Sequence, residues 1–264
     1  MTASQTGMTA IVLAGQRDGE NELAQFAGVD CKALAAVGGK PMLLRVLETL
    51  LSASSVGPVV LCGPDRDVLA QSAEIDRRIR AGDVSWLPPK KSPSTSAYAA
   101  LKTLPAEESV LLTTADHPLL TADIVETFCR QSIAKDADIT IGLAPYSRVR
   151  VNFPTMKKTI THFRDDELCG CNLFMFLTPE SREAANFWRQ IETQRKKPLR
   201  LLRMLGWLTV ASYLLGRLSL GDALDALGAR LGVRVRAVIL DDGDAAVDVD
   251  SVSDYRLVSK RFAD

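Results

Sequence analysis

Histidine is scarce in this chain: of 264 residues only His117 and His162 carry an imidazole. Cysteine is nearly as sparse. Cys31, Cys62, Cys129, Cys169 and Cys171 are odd in number and scattered, with no C-x-x-C pair. That pattern argues against a disulfide framework and against a zinc site, because Cys169-x-Cys171 lacks a second ligand pair. Net charge is also missing, since 32 basic side chains balance 32 acidic ones. No overall field therefore draws in nucleic acid or an anionic membrane, and no nucleic-acid partner is expected. No secretory leader is expected either: MTASQTGMTA is polar and runs straight into a strand, which suggests a reducing, cytoplasmic setting. The apolar stretch Leu199 to Leu220 is interrupted by Arg200, Arg203 and Arg217. Its charge-free part, Met204 to Gly216, falls short of the roughly 20 residues that a spanning helix needs.

What is present is alternation. Thr9–Ala14, Val56–Cys62, Val84–Leu87 and Ser109–Thr114 are short apolar runs of buried-strand type. Between and after them, Pro41–Ser52, Val68–Arg80, Ser94–Leu104 and Thr121–Lys135 repeat apolar residues at helical spacing, with Ser94 and Thr121 as N-caps. The second half predicts strands at Ile139–Ala144, Thr159–Arg164, Asn172–Leu177, Val233–Leu240 and Ala246–Asp250. A helix over Pro179–Gln194 and a terminal helix capped by Ser251 accompany them. Such a pattern implies a three-layer α/β fold, with a mostly parallel central sheet covered by helices on both faces. We read 1–264 as one domain. A Leu- and Arg-rich helical insertion at 195–232 is embedded in it, its last helix capped by Ser219 with Asp222 three residues on.

Open α/β sheets bind ligands at the carboxyl ends of their strands. The residues placed there are Ala14 and Gly15 after the first strand, Asp116 after the fourth, and Asp248 and Asp250 around the last. Gly15 would let a phosphate or base approach the backbone. Asp116 and Asp250 could converge on one divalent ion, since magnesium takes one or two carboxylates plus phosphate and water. Lys32 could offset the charge of a triphosphate. Each residue also has a plainer reading: Lys32 as a solvated loop cation, Asp116 as a turn former before Pro118, and Asp248-x-Asp250 as strand-end solvation.

The order of these residues resembles the MobA-like (molybdenum-cofactor guanylyltransferase-like) NTP transferases of the nucleotide-diphospho-sugar transferase superfamily. Ile11-Val12-Leu13-Ala14-Gly15 is similar to that family's opening strand and nucleotide loop. Lys32, followed by Gly39-Lys40-Pro41-Met42-Leu43, resembles its lysine and "G-x-P-L" helix start. Ser92-Pro93-Ser94-Thr95-Ser96 looks like its nucleotide-contacting turn, and Leu111 to Leu120 resembles its "D-x-P" strand end. Asn172 stands where acceptor-site asparagines occur, and Val247 to Tyr255 resembles its closing "D-I-D-T-P-x-D-L". The chain departs from the pattern at Gln16, where a second glycine is usual, and in the longer stretch from Arg17-Asp18-Gly19 to Lys32.

The resemblance implies a GT-A/Rossmann-like fold and a magnesium-dependent transfer of NMP from an NTP to a phosphorylated acceptor, with pyrophosphate leaving. It implies Lys32, Asp116 and Asp250 as catalytic residues, and Asp116, Asp248 and Asp250 as metal ligands. Leu13, Ala14, Gly15, Lys32, Ser94, Ser96 and Asp116 would bind the nucleotide, and Asn172 the acceptor. Two other readings stay open: a nucleotide-sugar-dependent glycosyltransferase, which would usually show a central Asp-x-Asp, and a non-catalytic relative acting as a binding or scaffold protein. Arg195, Lys196, Lys197, Arg200 and Arg203 crowd the start of the insertion, and Trp207 and Tyr213 follow. Peripheral membrane contact through 195–217, with a small or lipid phosphate as acceptor, is one expectation for it. Packing on the sheet or against a homodimer partner is the other.

Overall fold

The computed structural model describes residues 7–15, 21–194 and 206–262. Gln16, Arg17, Asp18 and Gly19, with the cations from Arg195 to Arg203 and Met204, lie outside the described residues. The strands are β1 (Met8–Leu13), β2 (Ala36–Val37), β3 (Lys40–Pro41), β4 (Val56–Cys62), β5 (Val84–Leu87), β6 (Val110–Thr114), β7 (Ile139–Pro145), β8 (Thr161–His162), β9 (Glu167–Phe176) and β10 (Val235–Ile239). The main sheet runs β10-β7-β9-β6-β1-β4-β5, with β8 attached to β9 and β2-β3 forming a separate small ribbon. Pairs β1–β4, β1–β6, β4–β5 and β7–β10 are parallel, whereas β9 is antiparallel to both β6 and β7.

Strand β1 shows why the sheet must be covered twice. Its residues alternate between faces with period two, and both sets are buried. Ala10 and Val12 join a core with the Met42–Ser52 and Ala122–Ile133 helices. Ile11 and Leu13 join a second core with the Pro93–Leu101 helix and with Leu224 and Leu227 of the Leu220–Leu231 helix. The result is a three-layer α/β fold with a mostly parallel sheet, as the alternation of elements predicts. The latter half of the 195–232 segment thus covers a sheet face.

Several element boundaries differ from the pattern reading, each for a local reason. The Pro93–Leu101 helix is capped by Ser92, not Ser94: proline takes the first helical position, where its missing N–H costs nothing, so the cap must precede it. The Ser92 hydroxyl accepts the Thr95 N–H. The apolar repeat from Val68 to Arg80 is two helices, Arg66–Leu69 and Ala73–Ala81, because Ser72 takes an extended capping conformation between them. Of Thr159–Arg164 only β8 pairs, since the Phe163 N–H turns back to the Asp166 carbonyl. Ala246–Asp250 forms no strand. Val247 and Val249 are buried in alternation, but the segment follows a 3-10 turn at Gly243–Ala246. It meets the β6 end through one bond, from the Val249 N–H to the Asp116 carbonyl at 2.9 Å.

Two devices aim this last segment. Ser251 and Asp254 form a reciprocal capping box at the Val252–Lys260 helix, which fixes the exit of the chain from Asp250. Upstream, Gly243 lies so close to the Tyr146–Asn152 helix that an added Cβ would sit 2.6 Å from the Arg148 carbonyl carbon and oxygen. Backbone on both sides cannot yield as a flexible side chain would. Gly243→Ala is therefore expected to lower stability by about 1–3 kcal/mol, read as a reduced thermal midpoint. An unchanged midpoint would show that this approach is not tight.

Candidate active site

At the carboxyl edge of the sheet, neighbouring parallel strands β1 and β6 bring their ends together, with Leu13 opposite Thr114. Leu13 and Ala14 are buried, so they offer backbone to this edge rather than side chain. Some of that backbone is engaged: Leu13 O accepts from the Ala115 N–H, and the Ala14 N–H donates to Cys62 O. Gly15 is different. Among the described residues, a Cβ there would meet only the Pro89 Cβ, at an ordinary 3.5 Å.

Asp116 follows β6 and anchors the site. Its Oδ1 accepts from the Thr114 hydroxyl at 2.6 Å, and its Oδ2 lies 2.7 Å from Lys32 Nζ. Lys32 opens the 3-10 turn Lys32–Leu34, and the same ammonium reaches Asp250 Oδ1 at 2.5 Å. One cation thus sits between two carboxylates that arrive from different parts of the chain. Burial alone would raise the Asp116 pKa, but the Lys32 charge and the hydrogen bonds from Lys32 and Thr114 outweigh it and hold it at about 2. For Lys32, burial favours the neutral amine, and the two carboxylates more than reverse this and push its pKa above the ordinary lysine value.

Asp248 does not join that pair. Its carboxylate meets the nearly buried Lys158 ammonium, a residue in an irregular stretch that pattern reading passes over. Asp116 and Asp250 thus share Lys32, whereas Asp248 has its own counter-ion. Among the described residues no group of three or more His, Cys, Asp or Glu side chains is placed to hold an ion.

Ser94 and Ser96 are buried. The Ser94 hydroxyl donates to the Glu192 carboxylate, and Ser96 Oγ accepts the Lys90 N–H at 2.9 Å. Neither hydroxyl is the cap; together they hold the turn that begins the Pro93–Leu101 helix. Asn172 lies in a β-bulge, where Cys171–Leu173 of β9 oppose Gly142 of β7. Its φ of 49° is left-handed, a conformation asparagine tolerates better than most residues. The bulge turns its amide to His117, with Nδ2 2.9 Å from Nε2. With the amide nitrogen on this side, Nδ2 donates and Nε2 of a neutral imidazole accepts. Burial, the largest influence, lowers the His117 pKa and keeps the ring neutral against the attraction of Asp116. All five thiols are buried and unpaired, and burial pushes Cys129 and Cys171 up to about 12, so none is poised as a nucleophile.

A family model described as the MobA-like NTP transferase domain matches residues 10–232. A transferase structure from Thermus thermophilus, described as hypothetical, is 30% identical, with TM-score 0.79, and the match covers 95% of this chain and 100% of that one. A CMP:2-keto-3-deoxy-manno-octonic acid synthetase solved with CTP shares the fold at 14% identity and TM-score 0.59, covering 97% and 99% of the two chains. So does a 4-diphosphocytidyl-2C-methyl-D-erythritol synthase from Anaerococcus prevotii, at 11% identity and TM-score 0.59, covering 98% and 97%. No curated protein matches the chain significantly.

The Lys32 bridge makes a pH-dependent contribution with a definite sign. Asp116 titrates near 2 in the fold against 3.8 ordinarily, so its contribution is present above about pH 4 and is lost as pH falls toward 2. The size is on the order of 2 kcal/mol. Lys32→Met is expected to remove most of this acid-side slope in urea denaturation series run across that window. A variant that loses stability there as steeply as wild type would show that Lys32 does not depress Asp116.

Proposed function

The chain belongs to the MobA-like NTP transferase family, which makes it a nucleotidyltransferase, and on that footing we propose the finer reaction. A nucleoside monophosphate moves from an NTP to a phosphorylated acceptor. An acceptor phosphate oxygen forms a bond to the α-phosphorus, the bridge from α- to β-phosphate breaks, and its electron pair leaves with pyrophosphate. The observation that carries this reading is the Lys32 ammonium held between Asp116 and Asp250 at the carboxyl edge of β1 and β6.

The donor set fits magnesium. Two carboxylates already share one cation, and Asp116 stays ionised across the physiological range. Asp116 and Asp250 would hold the ion, with Asp248 beside them on its Lys158 counter-ion. Magnesium bound there would neutralise charge building on the phosphates and help align the two reactants. Lys32 would offer its ammonium to the triphosphate, offsetting charge on the leaving group. Gly15 would let the nucleotide approach the backbone closely, since among the described residues a Cβ there would meet only Pro89. The backbone of Leu13 and Ala14 would lie beside the nucleotide, and Ser94 and Ser96 would contribute through the turn they hold. Asn172, set by the bulge and by His117, would orient the acceptor. A phosphate acceptor is ionised near neutral pH and needs no strong general base, which suits a site whose buried imidazole is committed to Asn172.

The domain reading is part of the proposal: one domain, with 195–232 as an insertion. Among the described residues no helix is long and apolar enough to cross a membrane. Five buried, unpaired thiols suit a reducing compartment such as the cytoplasm.

Asp116→Asn and Asp250→Asn should each lower pyrophosphate release by at least about 100-fold, with the fold retained. The measurement is release from each NTP across a panel of phosphorylated acceptors, with and without magnesium. If folded wild type releases none under any combination, the binding-protein reading replaces this one. If the two variants keep most of the activity, the carboxylates are not the metal ligands.

A further inference from the structure

His117 is 1% exposed, and among the described residues its Nδ1 has no hydrogen-bond partner. Its Nε2 lies 2.9 Å from the Asn172 amide. Together these facts bear on where the ring proton sits. With the proton on Nδ1, a buried N–H would stand without an acceptor. Protonation of both nitrogens would leave the same orphan and bury a charge as well. With the proton on Nε2, the ring donates to the amide, and only a bare acceptor nitrogen lacks a partner. A buried donor without an acceptor is the rarer and costlier of these features. The surroundings therefore favour the Nε2–H form.

That form fixes the amide in turn. Nε2–H needs an acceptor, and Asn172 can supply one only through Oδ1. The oxygen and nitrogen of an amide are alike in size, so the group fits this place either way round, and the ring proton decides between them. With Oδ1 accepting from His117, the NH2 group is carried to the opposite side. Asn172 is half-buried, and among the described residues the amide atom turned away from His117 has no partner and is not sealed from solvent. The left-handed backbone of the β9 bulge sets the side chain in this position. A group that offers N–H donors takes oxygen lone pairs, which are what an ionised phosphate presents.

We propose that His117 is a positioning residue: its Nε2–H holds Oδ1 of Asn172, so that the Asn172 NH2 faces outward and binds a phosphate oxygen of the acceptor. The proposal rests on the reaction proposed above and adds the polarity of the acceptor contact, a lone-pair oxygen rather than a donor.

The ring proton can be read directly. The chain has two histidines, so in His162→Gln protein the long-range proton–nitrogen correlations of His117 stand alone. Nε2 should be protonated and Nδ1 bare; a proton on Nδ1 would overturn the proposal. Kinetics read the other end, with the acceptor that supports the fastest pyrophosphate release in the panel above. Asn172→Asp keeps an oxygen for Nε2–H and tolerates the left-handed backbone, but it offers phosphate no donor. It should raise the acceptor KM at least about tenfold and the NTP KM by less than about twofold. His117→Leu should do the same, and His117→Gln, whose amide can donate in place of Nε2–H, should recover most of the loss. A folded Asn172→Asp protein with the wild-type acceptor KM would overturn the proposal, whether or not His117→Leu folds. If wild type releases no pyrophosphate with any acceptor, the proposed reaction falls and the phosphate contact with it. A protonated Nδ1 in an active enzyme would overturn this proposal alone.

Discussion

The site is held together by one ammonium group. Lys32 reaches Asp116, 84 positions further along the chain, and Asp250, 218 positions along, so three remote segments share a single charge. Without it, two carboxylates would face each other at the edge of an apolar sheet, where repulsion and partial burial both favour protonation or separation. The bond from the Val249 N–H to the Asp116 carbonyl reinforces the arrangement through the backbone. Other features of this edge, from the Thr114 hydrogen bond to the capping box after Asp250, orient the same two carboxylates.

This arrangement also separates two tasks within a small volume. On one side lie the charged centre and Gly15, just beyond the end of β1. On the other, the β9 bulge presents Asn172 from an antiparallel strand set between two parallel partners. The reversal of β9 places its bulge beside the β6 end, where His117 can meet it. The imidazole then holds the Asn172 amide in place.

Much of this could be read from the chain before any coordinates. Buried strands such as Val110–Thr114 are continuous apolar runs, and a run ending in Asp116-His117-Pro118 can only stop there. Asp116 was legible as a strand-end carboxylate, and the structure brings Lys32 and Asp250 to it although neither stands at a strand end. The limits were equally physical. Alternation from Ala246 to Asp250 looks like a strand because Val247 and Val249 are buried, yet packing alone satisfies it and no ladder forms. Ser92 and Ser94 are both good caps, and only the position of Pro93 decides between them. Lys158 was invisible because it lies in a segment without periodicity, and its importance comes from a partner 90 residues away. Glu192 lies in a helix that periodicity does reveal, but its partner Ser94 is 98 residues away and was hidden.

The distance in sequence between the site's components bears on how the protein is made. Synthesis runs from the amino end, and the sheet's central strands β1, β4 and β6 emerge early, together with Lys32 and Asp116. Asp250 and the Val252–Lys260 helix that fixes it emerge well after them. Until then the nascent chain can hold a paired lysine and aspartate but not the second carboxylate. A growing chain on the ribosome would therefore carry half of the charged centre until Asp250 has been made.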